Sequence, residues 1–147
     1  MADIERRRTI AASPEAIWDV LADFVAISSW VDNIDHSCIL VQDAAPVGTT
    51  RRLQVGRDTL VERIVQFDPP RTLAYEIEGL PRRLRAVTNS WTLRPSGESC
   101  VVALTSTVEI GARPSQQLAE RAVCRVLARQ SDAMLAGLAK RMESARV

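Results

Sequence analysis

The chain has 147 residues, 46% hydrophobic and 25% charged, and its 19 basic and 18 acidic side chains leave a net charge of +1. That length suits one domain, residues 1–147, with a sizeable core, and the balanced charge makes no electrostatic case for nucleic acid or an acidic membrane as partner. The three cysteines, Cys38, Cys100 and Cys124, are far apart and odd in number, with no pairing or metal-ligand spacing, and read as buried thiols of a reducing compartment.

Residues 3–10 alternate weakly and predict a first strand. In SPEAIWDVLAD, Ser13 is a good N-cap, Pro14 suits the first helical position and Glu15 complements the helix dipole, so a short helix is expected over 14–22. FVAISSW predicts a second short helical piece ending near Trp30. From 36 to 109 the chain reads as strands: HSCILVQ, TTRRLQV, TLVERIVQF, TLAYEIE, RLRAVTNSWTLR and SCVVALTSTVEI. AAPVG, GRD, DPPR, GLP and PSGE supply the turns, and connections this short imply antiparallel neighbours. Residues 114–144 hold no internal Pro and predict one long helix. Its spacing puts Ala119, Val123, Val126, Leu127, Gln130, Met134 and Leu138 on one face, with Arg121, Arg125 and Arg129 opposite. Strands followed by a covering helix mean α+β: a curved antiparallel sheet of about seven strands around the terminal helix, with a space between them that is core or pocket.

Turn lengths fix a register. With Gly56-Arg57 as a two-residue turn, Leu53 opposes Leu60 and Arg51 opposes Glu62. With Asp68-Pro69-Pro70-Arg71 as the next turn, Phe67 opposes Thr72, Gln66 opposes Leu73, Ile64 opposes Tyr75 and Glu62 opposes Ile77. One face then collects Arg51, Leu53, Leu60, Glu62, Ile64, Leu73, Tyr75 and Ile77. It is the more apolar face and is assigned to the helix side. The other carries Arg52, Val61, Arg63, Val65, Ala74 and Glu76, with Arg63 opposite Glu76. Arg51 and Glu62 therefore meet inside, either to stiffen the sheet or to offer a polar spot to a ligand.

Gly48, Arg51, Glu62 and Tyr75, with the element order, the ASPEAIWDVLADF segment and Trp30, resemble the polyketide cyclase/dehydrase branch of the START/Bet v 1-like (SRPBCC) superfamily over essentially the whole chain. The resemblance implies a helix-grip fold with a deep, mostly apolar cavity that takes lipids, polyketides, sterols or similar molecules. Trp91 and Tyr75 are then the aromatic lining candidates. Val87 and Leu104 stand where relatives often carry aromatics. The ligand-facing set expected is Trp30, Arg51, Glu62, Ile64, Tyr75, Trp91, Gln130 and Met134.

Binding of a small hydrophobic molecule is the first functional expectation. A cyclase or dehydratase is the second, with Glu62 as general base and Arg51 or Tyr75 steadying an enolate. Against it, Arg51 beside Glu62 is expected to lower the carboxyl pKa and weaken the base. A third reading docks an acidic partner on the Arg121/Arg125/Arg129 face, although such faces are usually just solvated. His36, the single histidine, reads as a strand-end residue, and no phosphate-binding glycine motif is present. No cofactor, metal or membrane span is expected, the location expected is cytoplasmic, and a homodimer is compatible with the sequence.

Overall fold

The structure, a computed structural model, describes residues 2–42, 44–78, 86–110 and 113–144. The GLP turn and residues 83–85 of the expected sixth strand lie outside the described residues.

Strand β1 (Ala2–Ile10) leads into helix α1 (Pro14–Ala22), where the Ser13 hydroxyl accepts a hydrogen bond from the Ala16 amide at 3.2 Å. A 3₁₀ segment, Phe24–Ser29, follows. Six strands come next: β2 (His36–Val41), β3 (Thr50–Val55), β4 (Asp58–Asp68), β5 (Thr72–Glu78), β6 (Ala86–Ser96) and β7 (Ser99–Glu109). Helix α2 (Pro114–Ser144) closes the chain. The strands form one antiparallel sheet in the order β1-β7-β6-β5-β4-β3-β2, the expected helix grip.

The β3–β4 register is the one the turn dictates: Arg51 opposes Glu62, Leu53 opposes Leu60 and Val55 opposes Asp58. The β4–β5 pair differs near its turn. Phe67 opposes Leu73 and Asp68 opposes Thr72, one step from the expectation. The loop is one residue tighter, with the Arg71 amide bonded to the Asp68 carbonyl, and the register shifts by one between Ile64 and Gln66. A bulge at that point takes up the extra residue of β4. Beyond it the expected pairs return: Ile64 with Tyr75, Arg63 with Glu76 and Glu62 with Ile77.

The inward face is the one expected. Arg51, Leu53, Glu62, Ile64, Leu73 and Tyr75 are all buried. On the outward face Arg63 and Glu76 pair at 2.8 Å, each nearly half exposed. Trp18 of α1 packs edge-on against Phe67, and Phe24 against Tyr75, which seats the short helices on the sheet.

The expected face of helix α2 looks onto the space under it, through Val123, Val126, Leu127, Gln130 and Met134, but the close-packed stripe lies beside that face. Its buried stripe is Glu120, Cys124, Ala128, Ser131, Leu135, Leu138, Ala139 and Met142. Ala119, Val126 and Gln130 are exposed, and Val123, Leu127 and Met134 are half-buried. The reason is steric. Four small side chains (Cys124, Ala128, Ser131 and Ala139) give this stripe the low profile that close packing needs, and the bulkier stripe beside it faces the space left open. Arg121, Arg125 and Arg129 consequently flank a groove between β1 and α2 that Arg6 also lines. Of the three free cysteines, Cys100 and Cys124 are buried as expected, whereas Cys38 is exposed, because β2 is an edge strand of the sheet. His36 is exposed at the start of that strand. No helix among the described residues is long and apolar enough to cross a membrane.

Candidate functional site

Between the sheet and α2 the side chains leave a cavity of about 350 Å³. Its floor is built from alternate residues of neighbouring strands, Leu53 and Val55 of β3, Leu60 and Glu62 of β4, Ile77 of β5, Val87 and Asn89 of β6, and Ser106 of β7. The roof is the bulkier stripe of α2: Val123, Val126, Leu127, Gln130 and Met134, with Ser131 deeper in. Ile27, Val31 and Ile34 close one end, and Asn33 there donates to the Gln130 side-chain oxygen at 3.5 Å.

Arg51 is fully engaged behind this wall. Its Nε and Nη2 both reach Glu62 Oε1, at 2.8 and 2.6 Å, and its Nη1 donates to the Phe24 carbonyl at 2.7 Å. The guanidinium carbon lies 3.5 Å from the Phe24 ring centroid and 4.8 Å from that of Tyr75, cation–π contacts with two rings that meet each other edge-on. Gly48 helps to set this corner. With φ at 97° it adopts a backbone that other residues rarely take, and the chain then bonds along β4 through the Gly48 amide to the Ile64 carbonyl. The glycine of the family pattern thus positions the strand that carries Arg51.

Glu62 is 4% exposed and lines the cavity. Burial pushes its carboxyl above the ordinary 4.5, and Arg51 offsets part of the rise. The lowered value expected from the neighbouring charge is therefore reversed, because desolvation outweighs the pairing. Tyr75 is pushed upward too, by burial first and then by the Glu62 charge, so its phenol stays protonated at neutral pH.

The eight residues expected to face a ligand divide in two. Glu62, Gln130 and Met134 line the cavity. Trp30, Arg51, Ile64, Tyr75 and Trp91 are buried in the core and are not among the lining residues. Trp30 and Trp91 meet edge-on at 5.9 Å, and the Trp91 indole N–H donates to the Tyr75 hydroxyl at 3.2 Å. Val87 is a wall residue and Leu104 a core one.

Three buried polar wall residues escaped the sequence reading: Asn89, Ser106 and Ser131. Ser106 donates to Asn89 Oδ1 at 2.6 Å across the β6–β7 pair. The signal for the first two was available. Inward alternation runs Val87, Asn89, Trp91 in β6 and Leu104, Ser106, Val108 in β7, each with a polar residue between two large apolar ones. Ser131 was hidden by the helix rotation.

A family model described as "Polyketide cyclase / dehydrase and lipid transport" matches residues 1–143. No curated protein matches the chain. Among solved structures, the ZhuI aromatase/cyclase from Streptomyces sp. R1128 is similar with a TM-score of 0.79 at 22% identity, over 97% of this chain and 93% of that one. A START superfamily protein from Mycobacterium smegmatis has a TM-score of 0.80 at 17% identity, over 97% and 98%. The di-domain ARO/CYC StfQ from the steffimycin biosynthetic pathway has a TM-score of 0.80 at 19% identity, over 99% of this chain and 52% of that one. At these identities the structures speak for the fold. The family model, spanning nearly the full length, identifies the chain as a member of the polyketide cyclase/dehydrase and lipid transport family.

Proposed function

We propose that this protein binds a small hydrophobic molecule, lipid-, polyketide- or sterol-like, in the cavity between the sheet and α2. The observation that carries this reading is the unfilled space itself. About 350 Å³ stays open between the sheet and α2 behind a largely aliphatic wall. That volume falls near the lower end of ligand pockets, about 300–1,000 Å³, which favours a compact ligand over a long acyl chain. Native mass spectrometry of the protein purified without added ligand tests this. A bound small molecule that is released on denaturation is the expected result. A bare chain that also fails to take up any neutral apolar probe would overturn it.

A cyclase or dehydratase is the second reading, favoured by one observation. Glu62 faces the cavity with its pKa raised, the direction a general base near neutral pH requires. Arg51 and Tyr75, suggested as enolate partners, sit behind the wall. The polar wall groups on offer in this reading are Asn89, Ser106 and Ser131. Its test is Glu62→Gln, which should abolish turnover of a poly-β-ketone while ligand affinity persists. Turnover surviving in that variant removes Glu62 as the base.

A further inference from the structure

Two buried polar groups on opposite walls of the cavity have no hydrogen-bond partner among the described residues. Among the described residues, every hydrogen bond and ion pair made by Glu62 goes to Oε1, and none goes to Oε2. Ser131, 2% exposed on α2, likewise makes no side-chain hydrogen bond to a described residue. Yet no sealed side-chain nitrogen or oxygen among the described residues lacks a partner. Glu62 Oε2 and the Ser131 hydroxyl are therefore not sealed: they open onto the cavity both residues line. Asn89 and Ser106 differ, since they bond to one another.

The charge around this opening is already arranged. Arg51, the cation nearest Glu62, is spent on Oε1, on the Phe24 carbonyl and on two aromatic rings, and it is not a wall residue. The described wall residues include no lysine or arginine, and the charged ones among them are Glu62 and Asp58. An anionic ligand would thus lose its hydration next to a carboxylate, with no free cation among the described wall residues to meet it, and a buried charge without a partner is costly. A hydroxyl avoids that cost. It donates to Glu62 Oε2, and a hydrogen bond to a charged acceptor is worth more than one between neutral groups.

We propose that the cavity selects compact apolar alcohols and phenols, whose hydroxyl donates to Glu62 Oε2, and rejects carboxylates of the same shape. This rests on the binding function proposed above and narrows it to a ligand class. Specificity of this kind has both halves, an attraction for one ligand and a repulsion of its analogue.

The test uses three probes of one shape on the full chain: naphthalene, 2-naphthol and 2-naphthoate. Each is measured at neutral pH by competition against the neutral dye N-phenyl-1-naphthylamine. The expected order is 2-naphthol tightest, by about tenfold or more over naphthalene, and 2-naphthoate weakest. Ser131→Ala should narrow the margin of 2-naphthol over naphthalene, and Glu62→Gln should lift the penalty on 2-naphthoate. Should either variant fail to fold, the wild-type order alone decides. Naphthalene bound as tightly as 2-naphthol, or 2-naphthoate bound as tightly as either, overturns the selectivity and leaves the binding function standing. If neither the dye nor any of the three binds, both fall.

Discussion

Arg51 and Glu62 look misplaced in a hairpin that turns Leu53, Val55, Leu60 and Ile64 inward, and the structure gives each a separate task. Arg51 ties β3 to β4 and to the 3₁₀ segment, while Glu62 turns its second oxygen to the cavity. Removing the cation strands a buried carboxylate, so Arg51→Ala should cost about 3–5 kcal/mol. Arg51→Met with Glu62→Leu should recover much of that, because an apolar pair leaves no charge uncompensated. Urea denaturation of the wild type, Arg51→Ala and the Arg51→Met/Glu62→Leu double variant measures it, and equal losses in the single and double variants would contradict it. The same pair makes a pH prediction. A carboxyl whose folded pKa lies above its unfolded value holds its stabilising contribution below the unfolded pKa, and loses it as pH rises through the folded one. Titrated upward from pH 4.5, the wild type should therefore lose stability relative to Glu62→Gln. A wild type that gains on the variant as pH rises would show that pairing with Arg51 outweighs burial.

The long helix shows where periodicity stops being informative. Its limits, Pro114 and Ser144, follow from composition and breakers. Its rotation does not, because two adjacent stripes are each apolar enough to face inward. What decides between them is size: small residues go to the close contact and larger ones line the open space. Gly137, the helix's single glycine, belongs to that contact. A Cβ placed there would stand 2.3 Å from the Trp30 carbonyl oxygen, which is backbone and cannot swing away. In an ordinary helix Gly→Ala stabilises by about 1 kcal/mol. Here Gly137→Ala should destabilise, by about 1–3 kcal/mol as overpacking does. A raised denaturation midpoint for this variant would mean that Trp30 and α2 are not in contact. The strands were more legible than the helix, because a two-residue turn and a period of two leave one register that keeps Leu53, Leu60 and Ile64 inside. The bulge in β4 carries no sequence mark of its own, although it left the inner pairs where the turn had put them.

Across the molecule, the sheet order and grip were readable because short turns force antiparallel neighbours and the one long helix must cover the exposed apolar face. The cavity wall was readable only in part. Trp91 and Tyr75 were expected to line it on the strength of family pattern, but aromatic residues bury more area than any others. Both are 1% exposed, and each takes part in an edge-on ring pair that fills the core instead. The wall was left to aliphatic residues and to Glu62, Asn89, Ser106 and Ser131, whose roles depend on how three elements meet. Binding inside this cavity is the central claim, and filling the cavity tests it most directly. Leu127 lines the roof and is only half-buried, so Leu127→Trp has space to point inward without displacing the packed stripe. The decisive measurement is the stabilisation of each protein by N-phenyl-1-naphthylamine. A ligand at 100 times its Kd stabilises its host by about 2.7 kcal/mol. The wild type should gain that much and Leu127→Trp, still folded, almost nothing. Equal stabilisation of the two would place the ligand elsewhere and contradict the account.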